Sequence, residues 1–392
     1  MAPAVLHGQG SASAVAQTRV RDSAGVRIVE TTAADAPVWT VRATPELTIG
    51  AVDGPPQYEF SGIVTAIRLA DGRIVIADGA SREIRFFGTD GRHQMSVGRR
   101  GNGPGEFPVL RRVIRMPGDS ILVFDDRRIT MITPAGTIAS TVLASRFTGM
   151  GRGNEPVADL GGGRFAMTRR IPYPFPYEGP PAIKRESTLV MITGMGAAKA
   201  DTVTQLADRE MYIFPSGMAY AHPFEYSAAV AGWNGHVVTG TGEGYELRVF
   251  DSTNRLRSII RRVDAPRAPL TSGRLDQFFA AVAKIDGARS AERYRAENAE
   301  RFPGRRFIPS FRGMRADSEG YLWVQDFPSP DPPRASRAFE WTVFAPDGSV
   351  AARVTTPPGF TPFSITDQHI VGLKRDSLNV EYVRLHRLER RR

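Results

Sequence analysis

Short apolar runs closed by a polar residue recur along this chain, among them Ile74-Val75-Ile76-Ala77-Asp78, Ile121-Leu122-Val123-Phe124-Asp125 and Tyr321-Leu322-Trp323-Val324-Gln325-Asp326. Their length and their β-branched and aromatic content read as strands rather than helices. Turn signals fall between them at Asp71-Gly72, Asp90-Gly91, Pro117-Gly118-Asp119, Pro134-Ala135-Gly136 and Pro346-Asp347-Gly348, where Gly, Asp and Pro supply turn conformations. Residues up to about Ala24 have no periodicity and are expected to be a disordered tail; short strands then follow at 26–30, 39–41 and 46–49.

One layout occurs twice in tandem. Pro56-Gln57-Tyr58-Glu59-Phe60, Arg68-Leu69-Ala70-Asp71-Gly72 and Ile74–Asp78 return as Gly103-Pro104-Gly105-Glu106-Phe107, Arg115-Met116-Pro117-Gly118-Asp119 and Ile121–Asp125, about 47 residues later. That period fits one four-stranded propeller blade. Strands predicted near 62–69, 73–78, 82–87 and 93–97 form blade one, and residues 107–143 form blade two. Blade three is less regular, with strands at 157–160, 164–167 and 188–192 around the proline-rich segment 172–181, which cannot be a central strand because proline donates no ladder hydrogen bond. Blades four and five fall at 227–263 and 310–355. Between them, Leu275, Phe278, Phe279, Val282 and Ile285 share a helical face, and a second helix is predicted near 288–302, so a helical hairpin is expected over 271–302. The last unit, 363–388, has only three strands. The spare strand at 46–49 would complete it and remove the exposed sheet edges. The expectation is an all-β, six-bladed β-propeller over 26–392, closed by an N-terminal strand.

Composition narrows the function classes. No stretch is apolar for long enough to span a bilayer as a helix. There are no cysteines, which removes disulfides, thiolate metal sites and cysteine nucleophiles. The net charge is +10, yet the basic residues are scattered and only Lys184, Lys199, Lys284 and Lys374 are lysines. With no basic helix or nucleic-acid module, nucleic acid is not an expected partner, and the arginine excess reads mainly as codon bias. The small residues Ala14-Val15-Ala16 before Gln17 resemble a signal-peptide cleavage site. The preceding apolar stretch is too short for a whole leader, so residues 1–25 read as a disordered tail or the remnant of a truncated signal peptide. A periplasmic or extracellular location is expected.

The loop Gly98-Arg99-Arg100-Gly101-Asn102-Gly103-Pro104-Gly105-Glu106-Phe107 is similar to the G-x-x-G-x-G-P-G-x-F lead-in of NHL repeats, and Ala70-Asp71-Gly72-Arg73-Ile74-Val75-Ile76-Ala77-Asp78 to that family's D-G-x-I-x-V-A-D core. Arg21–Glu30 resembles the lead-in of uncharacterised exported bacterial propellers. The chain thus resembles a bacterial six-bladed propeller of the NHL-like type, closely so in blades one and two. The resemblance implies the fold and often an interaction role, but the family includes binding modules and a few enzymes.

Candidate site residues come from aligning the blades. Glu59, Glu106, Glu155 and Glu225 each precede a first strand, so four carboxylates would ring one channel mouth and hold a divalent cation or a basic ligand. The alternative is a favoured turn residue paired with a neighbouring arginine. Arg68, Arg115 and Arg315 lie late in first strands and would suit an anion if they converged; blade-to-blade ion pairing is the plainer reading. Asp78, Asp125 and Asp326 end second strands and are expected to bond backbone in the following turn. Tyr173, Phe175 and Tyr177 of the proline-rich insert, with His222, would flank the mouth and stack on a sugar or grip a peptide. No H-E-x-x-H or G-x-S-x-G motif occurs. The reading is a non-catalytic module binding a protein, peptide or carbohydrate ligand at the mouth, with no cofactor beyond a divalent cation at these carboxylates. The alternative is a metal-dependent hydrolase, lactonase or lyase using the same mouth.

Overall fold

The computed structural model describes residues 17–146, 154–173, 179–180, 182–194, 197, 199–213, 219–221, 224–265, 267–286, 307–327 and 338–390. Four short strands come first: β1 (Thr18–Ser23), β2 (Val26–Thr31), β3 (Val38–Val41) and β4 (Leu47–Ile49). Blade one is β5 (Ile63–Arg68), β6 (Ile74–Asp78), β7 (Glu83–Phe87) and β8 (His93–Val97). Blade two is β9 (Arg112–Arg115), β10 (Ile121–Phe124), β11 (Arg128–Ile132) and β12 (Ile138–Leu143). Blade three is β13 (Asn154–Asp159), β14 (Arg164–Ile171), β15 (Ala182–Gly194) and β16 (Asp201–Ile213), with β17 (Ala219–Ala221) added outside. Blade four is β18 (Ala229–Trp233), β19 (His236–Gly240), β20 (Glu246–Phe250) and β21 (Leu256–Arg262). After α1 (Ser272–Asp286), blade five is β22 (Phe311–Ala316), β23 (Leu322–Asp326), β24 (Glu340–Phe344) and β25 (Val350–Thr355). Blade six is β26 (Phe360–Ile365), β27 (His369–Arg375) and β28 (Glu381–Glu389). Each blade is an antiparallel meander.

The strands form a ring because the second strand of each blade is buried on both faces. All five residues of β6 are buried, and its period-2 alternation divides them between two neighbours. Ile74 and Ile76 join a core with Val371, Leu373 and Val383 of blade six. Val75 and Ala77 join one with Ile121 and Val123 of blade two. Leu122 and Phe124 then face Phe165 and Met167 of blade three. Two-sided burial explains why these strands read as continuous apolar runs rather than alternating ones. The remaining cores join blades three and four, four and five, and five and six. Innermost strands touch in succession from β5 through β9, β13 and β18 to β22, and β26 returns to β5. Arg315 of β22 bonds the Phe363 carbonyl of β26, 3.0 Å away. Among the described residues, six blades and six apolar cores make a propeller.

The N-terminal strands lie on outer edges. β2 runs parallel to β21 of blade four, β3 lies between β25 and β28, and β4 pairs antiparallel with β28, Leu47 opposite Leu385. Sequence patterning assigns nothing regular before Val26. Instead β1 pairs with β2 across Ala24-Gly25, both at positive φ (51° and 78°), the geometry of a hairpin turn matched to strand twist. All six β1 side chains are exposed, so hydrophobicity carries no signal for it. In blade three the structure adds β16, a largely polar outer strand that patterning passes over. The first helix of the expected hairpin is α1, capped by the Thr271 hydroxyl, which accepts the Arg274 amide (3.3 Å). The second, predicted near 288–302, lies outside the described residues.

Candidate functional site

The loops leading into blades one and two are built by a repeated clamp. Asp78 accepts the amides of Ala80 and Ser81 (3.4 and 3.2 Å) and sits 3.6 Å from Arg85. Arg85 Nη1 donates to the carbonyls of Pro56, Gln57 and Glu59 (3.1, 3.1 and 2.9 Å). In blade two, Asp125 accepts the amides of Arg127 and Arg128 and pairs with the Arg128 guanidinium at 3.0 Å. That guanidinium donates to the carbonyls of Asn102, Gly103 and Glu106. The strand-ending aspartates therefore orient an arginine that ties down the lead-in loop. Asp326 differs: it accepts from the Tyr245 hydroxyl (2.7 Å) and Arg262 across the interface of blades four and five, and from Thr342 of its own blade.

This clamp separates the four aligned glutamates. Glu106 folds back on its own loop, accepting the Gly103 amide (2.8 Å) and pairing with Arg99 (2.8 Å); the amide first and the arginine second hold its carboxyl below the usual range. Glu59 is exposed and lines a separate cavity with Asp78, Arg85 and Glu381. Only Glu155 and Glu225 meet, so the expected ring of four is a pair in the structure.

Glu155 and Glu225 line a cavity of about 520 Å³ where the first strands of blades two to five begin. Arg112 pairs with Glu155 across blades two and three at 3.2 Å. Asp208 accepts the Thr188 hydroxyl (2.5 Å) and the Ala228 amide (3.0 Å). Arg170 lies 3.7 Å from Glu186 and 3.9 Å from Asp208, and Arg209 lies 3.8 Å from Glu225. Burial pushes the Glu225 carboxyl up to about 7, Arg209 opposes this and Asp208 adds to it. Its Oε2 is buried without a hydrogen-bond partner. Near neutral pH the wall thus offers guanidinium donors, carboxylate acceptors and one carboxyl poised between the two states. Among the described residues, no three His, Asp or Glu converge as a metal-ligand set.

The aligned arginines do not converge. Arg115 pairs with Asp119 at 2.5 Å, and Asp119 also accepts the Ala70 amide (2.7 Å), joining the turns of blades one and two. Arg68 leans on its own turn at Gly72. Arg315 lies between blades five and six in a second cavity, together with Arg312. Tyr173 is half-buried after β14; Phe175, Tyr177 and His222 lie outside the described residues. Sequence reasoning missed Arg112, Arg170, Asp208, Arg209 and Arg312. The register of β22 shifts between Phe311 and Gly313, so Arg312 is a bulge residue. A bulge breaks strict alternation, which lets Arg312 and Arg315, three residues apart, line one cavity.

A family described as a six-bladed β-propeller, DUF5128, matches residues 59–130. No curated protein matches the chain. Among solved structures, a member of the DUF4221 family from Bacteroides vulgatus is 11% identical, with 90% of this chain and 99% of that one covered, at a TM-score of 0.51. A protein of Bacteroides fragilis is 10% identical, covering 93% and 100%, at 0.47. A gluconolactonase from Xanthomonas campestris is 13% identical, covering 89% and 99%, at 0.39. At these identities the likeness is one of fold alone.

Proposed function

We propose that this chain is an exported, NHL-like binding propeller whose ligand seats in the mouth cavity bearing Glu155 and Glu225. In this reading β4, as the outer strand of blade six, closes the ring, and closure brings residues of four blades to one rim. The observation that carries the proposal is the lining itself. Arg112, Arg170, Arg209 and Arg312 alternate with Glu155, Asp208 and Glu225 around about 520 Å³, a volume suited to a small ligand. Charges of both signs suit a ligand carrying donors and acceptors together, a peptide segment or a carbohydrate, better than a simple ion. The matching experiment is calorimetric titration of oligosaccharide and short-peptide panels into the full chain and into Glu155→Ala. Binding by the wild type that the variant weakens tenfold or more supports the proposal; equal binding by both refutes it.

One feature favours the alternative, a hydrolase, lactonase or lyase at the same cavity. A carboxyl half-titrated at about 7 is suited to general acid–base work at neutral pH. Following any bound ligand by NMR separates the readings: an unchanged ligand supports a binding module, and turnover lost in Glu225→Gln supports catalysis.

A further inference from the structure

The second cavity, about 470 Å³, lies between blades five and six and is lined by Arg312, Arg315, Phe339, Trp341, Phe363 and Arg375 among others, with no carboxylate among the described residues of its wall. Arg315 is its unusual member. Its Nη1 donates to the Phe363 carbonyl (3.0 Å) and its guanidinium stacks 5.8 Å from the Trp341 ring centre. Its Nε is buried without a partner, and no carboxylate pairs with it. Burial, with no neighbour to offset it, pulls its pKa down to about 10. Trp341 adds a second orphan donor, an indole N–H buried without an acceptor. Arg375, by contrast, is held by Glu381, whose other oxygen accepts the Ile63 amide (2.7 Å).

Arg315 is half-buried; a cation partly withdrawn from water without a counter-ion is costly, and an apolar residue of similar size would relieve part of the cost. A guanidinium with no carboxylate partner beside an aromatic wall describes a site that lacks its anion. We infer that this cavity binds the carboxylate of an amphiphilic organic acid, with the carboxylate on Arg315 and an aryl or alkyl body against Phe339, Trp341 and Phe363. One planar guanidinium fork matches a carboxylate, and the apolar wall selects for the body attached to it. The inference is independent of the mouth cavity, with which this one shares only Arg312 among the described residues.

The test is calorimetric titration of phenylbutyrate, octanoate, neutral phenylbutyramide and inorganic phosphate into the full chain, Arg315→Met and Glu155→Gln. At least one acid is expected to bind saturably below about 1 mM, with the amide and phosphate about ten- to hundredfold weaker. Glu155→Gln should keep this binding. Arg315→Met should lose it while melting at the wild-type temperature or above, as expected when a site is held at a cost to stability. Arg315→Lys keeps the charge without the fork and should weaken binding about tenfold, which provides a second variant should the methionine one not fold. Equal binding of acid and amide, equal binding of phosphate, wild-type affinity in the Arg315 variants, or no binding of either acid at about 1 mM would each overturn the inference.

Discussion

Replacing Glu225 by glutamine should change how stability depends on pH. The wild-type carboxyl is buried beside Asp208 and Glu186, with Arg209 at 3.8 Å as partial compensation, and it half-titrates at about 7 instead of 4.5. In the unfolded chain it ionises near the lower value. The folded state therefore favours the protonated form, and this contribution is fully present below pH 4.5. It fades as the pH rises and is gone above about 7. The interval is worth about 3 kcal/mol at roughly 1.4 kcal/mol per pH unit, and screening by water in the cavity brings it to on the order of 2 kcal/mol. Glutamine has the same shape and no charge to desolvate. Urea unfolding of wild type and Glu225→Gln should give similar stabilities near pH 4.5, with the variant ahead by on the order of 2 kcal/mol at about pH 8. Parallel curves for the two proteins across that range would refute the assignment of a buried, protonated Glu225.

Three further substitutions probe the scaffold. Gly98→Ala places a Cβ inside the buried Phe107 ring at a backbone φ of +92° and should cost about 2–4 kcal/mol in denaturant unfolding. Asp125→Ala strips Arg128 of its carboxylate and should cost about 3 kcal/mol, with Arg128→Met in the same background recovering part of the loss. Arg390 is packed over Trp39 and Tyr321 (4.7 and 5.1 Å) and pairs with the fully buried Asp317 side chain at 2.8 Å. Arg390→Ala should cost about 2–4 kcal/mol, and hydrogen exchange should accelerate first in β3 and the end of β28.

The blades were legible because their middle strands are buried on both faces, which writes them as apolar runs such as 74–77 and 121–124. Asp78 at the end of β6 and Asp125 just after β10 were legible too, since their turn bonds are local. What stayed hidden depends on partners far apart in sequence. Glu59, Glu106, Glu155 and Glu225 align by position, yet each carboxylate follows its own loop, and Gly103 and Arg99 claim that of Glu106. The mouth cavity uses Asp208 and Arg209 from β16, whose polar outer face gives no hydrophobic signal. Arg312 and Arg315 share a wall only because β22 bulges, and a bulge leaves no mark in a period-2 reading. β1 depends on a turn at Ala24-Gly25 rather than on burial.

The pairings of β3 and β4 also constrain how the molecule is made. Val38–Thr40 waits for Arg353–Thr355, and Leu47–Ile49 for Val383–Leu385. A ribosome delivers the first member of each pair more than three hundred residues before the second. Blades one and two have all their strands early, whereas blade six stays incomplete until β28 emerges to pair with β27 and β4. Unpaired edges of that kind are prone to aggregate. Losing β28 would leave β4 without its partner strand and β3 held by β25 alone.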